Sequence, residues 1–306
     1  MKRFIYYLFL ITSLLGVCVT SCDSDSSLPD ENSEKTPRLN KSDSLAMVNI
    51  YQKIGPWGHI WDLKDIQTWG GVDIALDLST NQYRIVGFNF YGSFHGEFPD
   101  DFRKLTELRV LGLGGGTLSG QIPSWIGELT NLTYFYIAYN QISGPIPPEI
   151  GKLTHLEQLS IGENYVDGSI PEELGNLTSL SKLTIYHTRV SGTIPKSLSK
   201  LDKIKQINLD HNQLSGEIPI EILKENVYIG CSDNNITKLS FDVWKDESKV
   251  PIPDLQGNRL SGEIPEWVFS TKKWNLNKYF VSRQQQGTGY TNYITSVPLK
   301  LGRIKN

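Results

Sequence analysis

The chain has 306 residues, of which 33 are acidic and 30 are basic, giving a formal net charge of −3. Proteins that bind nucleic acid through its phosphates carry a surplus of Lys and Arg, so this balance predicts no nucleic-acid partner. Only three cysteines are present, and two of them lie before residue 23, which excludes the disulfide framework of a small secreted domain.

The first residues have the pattern of a secretion signal. Lys2 and Arg3 precede an apolar run from Phe4 to Val19, which is short for a membrane span and is followed by polar residues. The run ends in V-T-S-C, and this phrase resembles a bacterial lipobox, in which the cysteine is lipidated and becomes the mature N-terminus. The resemblance implies a lipid anchor on Cys22. A plain secretory signal with a chance cysteine is the alternative.

The signal peptide is therefore predicted over residues 1–22, and a polar stretch follows it. Residues 23–42 contain almost no large apolar side chains, so they are predicted to be a disordered tether. The acidic residues after Cys22 loosely resemble the surface-export signal of some Gram-negative lipoproteins. We therefore expect an outer-membrane lipoprotein of a Gram-negative bacterium that contacts the membrane through its anchor only. Surface exposure is favoured over the periplasmic face.

Residues 43–90 carry the first pattern of regular structure. Ser44 to Tyr51 has the apolar spacing of a short helix, with Leu45, Val48 and Ile50 or Tyr51 predicted to face inward. Three tryptophans follow, and then a strand-like run, R-I-V-G-F-N-F, that ends at Phe90. This segment precedes a long series of repeats.

The repeats are recognised by the phrase L-S-G-x-I-P, which returns every 24 residues from Phe94 to Leu214 and once more at Leu260, after a coil that is two residues short. Between these phrases runs L-x-x-L-x-x-L-x-L-x-x-N-x-L, whose alternating apolar residues predict one short strand in each repeat. A period of this length is typical of a solenoid, in which each coil is stable only when stacked on its neighbours. The phrase or a close variant begins at Phe94, Leu118, Ile142, Val166, Val190, Leu214 and Leu260.

This 24-residue L-x-G-x-I-P unit resembles the plant-type leucine-rich repeat of receptor-kinase ectodomains and polygalacturonase-inhibiting proteins. The resemblance covers residues 91–270, more than half of the chain. It implies a curved α/β-type solenoid with short parallel strands on its concave face. Because an open stack leaves its first and last apolar faces in water, residues 43–90 and 271–306 are predicted to be the N-terminal and C-terminal caps.

Three departures from the repeat predict local irregularity. Gly116 and Thr188 replace the Asn that otherwise follows each strand, which should weaken a ladder of Asn side chains. The coil from Ile236 to Arg259 lacks G-x-I-P, and a bulging loop is expected near residues 245–249. Cys231 occupies an apolar position and is predicted to be a small buried side chain.

The residues around each strand predict a binding surface. Stacked parallel strands place equivalent residues roughly 4.8 Å apart, so side chains that point outward form columns. Tyrosines cluster there, and Tyr is a favoured interface residue, although tyrosines also sit well on sheet surfaces. The candidate partner-binding residues are Tyr134, Tyr136, Tyr139, Glu163, Lys182, Tyr186, His187, Asp210, His211, Tyr228 and Asp233.

One column also contains the residue types of a divalent-metal site, namely Glu163, His187, His211 and Asp233. Polar residues are often adjacent in such columns, and no supporting shell is visible, so no metal and no cofactor are predicted. The chain has no nucleophile elbow, zinc-protease motif or phosphate loop, and we predict that it is not an enzyme.

The function predicted from these observations is partner binding by a cell-surface lipoprotein. An extracellular or surface protein is the favoured ligand, in adhesion or in recognition of a host or another cell surface. The alternative is a carbohydrate-binding lipoprotein that captures polysaccharide, because aromatic rings, including Trp57, Trp61 and Trp69, can stack on sugars. The columns themselves contain no tryptophan.

Overall fold

The computed structural model describes residues 37–55, 69–92, 94–244, 253–270, 284–285 and 289–290. Within these ranges no helix is long and apolar enough to cross a bilayer. Several predicted features lie outside the described residues: the predicted lipidation site Cys22, most of the predicted tether, Trp57, Trp61, the loop expected near residues 245–249 and most of the C-terminal segment.

The described part of the chain forms a stack of short strands and one α-helix, α1 (Lys41–Ile54). The strands are β1 (Arg38–Leu39), β2 (Val72–Asp77), β3 (Gln82–Tyr91), β4 (Val110–Gly114), β5 (Tyr134–Tyr136), β6 (Ser143–Pro145), β7 (Gln158–Ser160), β8 (Tyr165–Asp167), β9 (Lys182–Thr184), β10 (Ser191–Thr193), β11 (Gln206–Asn208), β12 (Gln213–Glu217), β13 (Tyr228–Gly230), β14 (Asn235–Lys238), β15 (Ser261–Gly262) and β16 (Gly289–Tyr290).

One long sheet runs along the stack in the order β1-β3-β4-β5-β7-β9-β11-β13, with parallel pairing throughout. Strand β2 pairs antiparallel with β3 at the first end of this sheet. The Ser-Gly residues of the repeat phrase lie in a second row of short strands. This row consists of the separate sheets β6-β8, β10-β12-β14 and β15-β16. Parallel strands one coil apart confirm the predicted leucine-rich-repeat solenoid.

A short 3₁₀ helix closes each described coil, in most coils directly after the proline of the repeat. The proline that precedes each of the first six helices is extended, as at Pro123 (φ −74°, ψ 146°), and its missing N–H costs nothing at a helix start. The 3₁₀ helices are Asp100–Lys104, Ser124–Glu128, Pro148–Lys152, Glu172–Asn176, Lys196–Lys200, Ile220–Ile222, Phe241–Trp244 and Glu266–Ser270.

The Asn side chains form the predicted ladder through the interior. Asn164 is 5% exposed, its Nδ2 donates to the carbonyls of Ile137, Ile161 and Gly162, and its Oδ1 accepts the N–H of Ile142 in the preceding coil. Each amide therefore satisfies backbone groups that the turn leaves unpaired. The same role falls to Asn140, Asn212, Asn234 and Asn258.

Thr188 alters this ladder as expected. Its hydroxyl donates to Asn212 Oδ1, the atom that in other coils accepts an N–H from the preceding coil. The N–H of Val190, which would otherwise take that position, makes only a long contact of 3.4 Å to Thr188 Oγ1. The ladder thus continues through a hydroxyl, with one poorer bond.

Helix α1 covers the first coil. Asn40 caps it by accepting the N–H groups of the first turn, and Ala46, Met47, Ile50 and Ile54 are buried. The prediction that Leu45 faces inward is wrong: it is 56% exposed, because the buried stripe is centred one residue later.

An ion pair and a buried tryptophan tie this segment to the sheet. Asp43 is fully buried, and it accepts bonds from Arg84 Nε and from the N–H of Ile85, both at 2.9 Å. Trp69 is 3% exposed and packs into the apolar core.

Two glutamines of the C-terminal segment extend the ladder past the last repeat. Gln284 Oε1 accepts the N–H of Leu260 at 3.0 Å, and its Nε2 donates to the Leu255 carbonyl at 3.2 Å. Gln285 donates to the carbonyls of Asn234 and Gly257. Gln284 therefore acts as the next ladder amide, and Gly289 begins β16.

Candidate partner-binding face

The long sheet aligns equivalent residues of successive coils into columns on its outward face. Strand pairing aligns Tyr134 with the residues that lead to Tyr228, and these residues form the first column. Tyr136, two residues later in the same strand, belongs to the second column. The third and fourth columns contain the residues that lie two and three positions after the second column along the chain. Backbone hydrogen bonds, such as the one from Glu163 N–H to the Tyr186 carbonyl (2.9 Å), hold neighbouring coils in register. These four columns are named the strand face, and they correspond to the face predicted to be concave.

The structure places all of the predicted partner-binding side chains on the strand face. The first column holds Tyr134, Lys182 and Tyr228, the second Tyr136, the third Tyr186 and Asp210, and the fourth Tyr139, Glu163, His187, His211 and Asp233. Each is half-buried or exposed, with Tyr139 39% and Tyr228 51% exposed. They therefore form one surface across consecutive coils.

The fourth column has a left-handed backbone in seven successive coils, from Gly115 to Gly257. Its five side chains, Tyr139, Glu163, His187, His211 and Asp233, have φ between 49° and 61°. Equivalent residues in the flanking coils are Gly115 and Gly257. A left-handed residue other than glycine costs roughly 1–2 kcal/mol, and tyrosine and glutamate gain no local hydrogen bond that offsets this cost.

Tyrosine rings cover the first half of the strand face. Tyr134 and Tyr136 are stacked, with ring centroids 6.3 Å apart and an interplanar angle of 10°. The Tyr136 ring lies over Gly114, where any side chain would collide with it. Tyr91, which is 72% exposed, contacts Tyr139 edge-on at 6.4 Å. Burial raises the pKa of Tyr136, so its hydroxyl stays protonated at neutral pH.

Tyr186 leans back over two coils and joins the second half of the face to the first. Its hydroxyl donates to the hydroxyl of Tyr139 at 2.7 Å, and its ring covers Gly162 in the coil between them. Burial, followed by this hydrogen bond, raises the pKa of Tyr186. The Tyr186–Tyr139 hydrogen bond therefore bridges three successive coils across the middle of the surface.

The fourth column continues through two stacked imidazoles. His187 contacts Tyr186 edge-on at 5.5 Å and stacks on His211, with centroids 4.0 Å apart. His211 Nδ1 lies 3.3 Å from Asp233 Oδ2. Within the described residues, no group of three or more His, Cys, Asp or Glu side chains is arranged to hold a metal ion.

Carboxylates dominate the far end of the strand face. Asp210 accepts the N–H and the hydroxyl of Ser232 at 2.7 and 2.9 Å, which holds its carboxylate over Gly230. Asp254 is paired with Gly230 as the next position of the second column. Burial, followed by the negative charges of Asp210 and Asp254, raises the pKa of Tyr228.

The centre of the strand face contains a buried hydroxyl with unmet hydrogen-bonding capacity. Thr184 is 7% exposed, and its Oγ1 has no hydrogen-bond partner among the described residues. It occupies the second column, between the tyrosine half and the acidic half. Buried hydroxyls are normally paired, so the unpaired Thr184 hydroxyl is unusual for a folded protein.

Two residues of this surface were missed in the sequence. Tyr91 was not predicted because Phe88 pairs with Leu111, 23 residues later, so a strict 24-residue count points to the buried Phe90 instead. Asp254 follows Gly230 by the regular interval and could have been found by extending the second column one coil further.

Cys231 has no place in this surface. It is fully buried, and burial raises the pKa of its thiol, as expected for the small apolar side chain that was predicted.

A family model described as a leucine-rich repeat region matches residues 90–280. No curated protein matches the chain. Among solved structures, the ectodomain of the Arabidopsis thaliana receptor kinase GASSHO1/SCHENGEN3, in complex with CASPARIAN STRIP INTEGRITY FACTOR 2, is 32% identical with a TM-score of 0.52. That match covers 63% of this chain and 22% of the receptor chain.

The Arabidopsis receptor kinase HAESA, in complex with the peptide hormone IDA and the co-receptor SERK1, is 31% identical with a TM-score of 0.56. It covers 66% of this chain and 33% of its own. A plant ice-binding protein is 22% identical, with a TM-score of 0.57, and covers 74% of this chain and 82% of its own, which shows a common fold only. The 24-residue repeats, the stacked parallel strands, the Asn ladder and the family match together establish that this chain belongs to the leucine-rich-repeat family.

Proposed function

We propose that this chain is a non-catalytic, cell-surface lipoprotein that binds a partner protein through the strand face. The observation that carries the proposal is the continuous series of partly exposed tyrosine, histidine and carboxylate side chains across consecutive coils of one rigid sheet. Side chains fixed by a sheet lose little conformational entropy on binding, and tyrosine supplies both apolar area and a hydrogen bond.

Two of the similar structures support a protein or peptide ligand for this proposal. The titles of both describe a receptor in complex with a ligand, and one of those ligands is a peptide hormone. This chain spans a third or less of those receptors, so their particular ligands are not transferred to it.

The proposed location is the outer membrane of a Gram-negative bacterium, with the domain exposed at the surface and attached through Cys22. Replacement of Cys22→Ala should prevent lipid attachment and release the protein from the membrane fraction. Metabolic labelling with an alkyne fatty acid, followed by protease accessibility on intact cells, measures both parts. A labelled Cys22→Ala protein would contradict the anchor, and protection from protease would contradict surface exposure.

The binding proposal is tested with the full-length protein, extracted in detergent and screened in parallel against extracellular proteins and glycans. We expect a saturable protein ligand. The variant Tyr136→Ala, Tyr139→Asn, His187→Asn should abolish its binding, because it removes the central aromatic contacts. Asn tolerates the left-handed backbone at the last two positions, so the fold is retained.

Tyr165→Ala is the matched control for this test. Tyr165 is 48% exposed but lies in β8, in the second row of strands, where it stacks with Arg189. The control should bind like the native protein. Unchanged binding by the triple variant would refute the strand face as the site, and saturable binding to a glycan alone would replace the protein partner with polysaccharide capture.

A further inference from the structure

The hairpin formed by β2 and β3 carries exposed leucines at its end. Residues 78–81, which connect the two strands, are all exposed, and we call residues 76–81 the hairpin tip. Leu78 is 86% exposed, more than any other large apolar side chain that the structure describes, and Leu76 is 38% exposed. Large apolar side chains grouped on a surface indicate a place of contact with another molecule or with a membrane.

The hairpin tip projects from one edge of the long sheet. β3 begins at Gln82, but its pairing with β4 begins only at Gly87, five residues later. At about 3.3 Å per residue, the start of β3 lies roughly 16 Å beyond the point where β4 joins the sheet. The leucines of the tip therefore stand out from the edge at which the strands of the repeats begin.

The polar groups of the hairpin tip bind one another. Asp77 accepts hydrogen bonds from the N–H of Ser79 (2.9 Å), from its hydroxyl (2.7 Å) and from the hydroxyl of Thr80 (2.7 Å). These bonds fix the loop around Leu78 and leave its side chain in solvent. Polar groups that are already paired cost less to move out of bulk water, so the tip suits the boundary between water and an apolar phase.

The chain enters the described domain beside the hairpin tip. Arg38 of β1 pairs with Gln82 on one side of β3, and Asp77 of β2 pairs with the same residue on the other side. Because β1 runs parallel to β3, Pro37 lies on the side toward which the tip projects. Residues 23–36, between the predicted anchor at Cys22 and this point, can span at most about 50 Å. The predicted anchor therefore keeps the tip close to the membrane.

Two basic side chains lie next to the hairpin tip. Arg38 and Lys41 are both exposed, and Asn40 between them donates to the Gln82 side chain at 2.6 Å, which ties this segment to the hairpin. Leu45, which is 56% exposed, follows Lys41 by one turn on the same face of α1. Long basic side chains lay their methylene groups on apolar surface and hold the charge at the level of lipid headgroups. Leucine together with such cations is the chemistry of a bilayer interface.

We infer that the hairpin tip docks on the lipid bilayer through Leu76 and Leu78, as a second point of contact besides the predicted lipid on Cys22. This inference rests on the lipoprotein part of the proposed function and adds a membrane contact that the sequence did not predict. A short tether holds the tip at a local concentration of roughly millimolar, so a contact that is weak by itself becomes populated. Two points of contact also fix how the solenoid is oriented on the membrane.

The test uses the full-length lipidated protein in vesicles of phosphatidylethanolamine and phosphatidylglycerol. A polarity-sensitive fluorophore is attached to Thr80→Cys, which removes one of the three hydrogen bonds to Asp77 and keeps two. Cys231, the one cysteine among the described residues, is buried and does not take the label. We expect the emission to be quenched when phospholipids with brominated acyl chains replace the plain ones, because this quenching acts only at short range.

The labelled variant Leu76→Thr, Leu78→Ser should lose this quenching and stay in the membrane fraction. Thr is favoured in strands and Leu78 lies in an exposed loop, so the fold is retained. Ile220→Ser is the matched control. Ile220 is 43% exposed at the start of a 3₁₀ helix, where another coil has Ser124. The control should be quenched as strongly as the native sequence.

The outcomes separate the docking tip from the anchor on which it rests. If Cys22 takes up the fatty acid but the Thr80→Cys label is not quenched, or the double leucine variant is quenched equally, the anchor stands and the docking tip is wrong. A dimer that dissociates in the double variant would mean that a second copy covers the tip, which also overturns the inference. If neither fatty-acid labelling nor quenching is observed, both proposals fail.

Discussion

The left-handed residues of the fourth column show how single positions are used on the strand face. The flanking coils place Gly115 and Gly257 there, which relieves the backbone, whereas the coils between them carry side chains. Tyr139 and Glu163 are the least favoured of these residue types in that conformation. Side chains are present at these positions despite the strain, which is consistent with the binding face proposed above.

Thr184 leads to a prediction for the free protein. Val has nearly the same shape as Thr, and a buried hydroxyl without a partner costs about 1–3 kcal/mol, so Thr184→Val should raise the free energy of unfolding by about 1 kcal/mol. Chemical denaturation measures the change, with Thr237→Val as the comparison, because the Thr237 hydroxyl is bonded to the Gly216 carbonyl and its loss should destabilise.

A decrease in stability for Thr184→Val would show that the hydroxyl is paired in solution.

Among the structural elements, the Asn ladder carries most of the order between coils, and its irregular step is testable. Thr188→Asn should supply an amide for the preceding coil and free Asn212 Oδ1 to accept the Val190 N–H. We expect an increase of about 1 kcal/mol in the free energy of unfolding, the usual net value of one buried hydrogen bond. Thermal and urea unfolding measure it, and an unchanged midpoint would mean that the hydroxyl already serves as well as an amide.

Helix α1 is attached to the first coil by a carboxylate whose ionisation should control acid stability. Asp101 accepts bonds from Asn49 (3.0 Å) and from Lys53 and Lys104 (both 2.8 Å). Burial alone would raise the pKa of Asp101, but the bonds from Lys104, Lys53 and Asn49 outweigh it and hold the pKa below its usual value.

A carboxyl group with a lowered folded-state pKa stabilises the protein above its unfolded pKa of about 3.8, and this contribution is lost as the pH falls through the lower, folded value. Asp101→Asn should therefore lower stability at pH 7 by about 1–2 kcal/mol and flatten the loss of stability below about pH 4. Circular dichroism melts across this pH range measure both effects. An acid profile identical to that of the native protein would contradict the role of Asp101.

For the whole molecule, the 24-residue interval was enough to predict the solenoid, the register of the columns and the face on which the tyrosines lie. It could not predict how the side chains lean, because this depends on neighbouring coils. Tyr186 can reach Tyr139 because Gly162, in the coil between them, has no side chain to block the Tyr186 ring. At the N-terminal end, the interval between β3 and β4 is 23 residues instead of 24, so the repeat did not predict Tyr91 on the surface. The buried stripe of helix α1 is shifted by one residue, which leaves Leu45 exposed.

The glutamines that extend the ladder support the last described coils, next to the far end of the strand face. Gln284 and Gln285 bond to the carbonyls of Leu255 and Gly257, which flank this end of the strand face. In a stacked array, unfolding begins at the ends, where a coil has one neighbour instead of two. Tension on the C-terminal segment, or its cleavage, would therefore unfold the carboxylate-rich coils at this end of the strand face first, while the tyrosine-rich coils kept their shape.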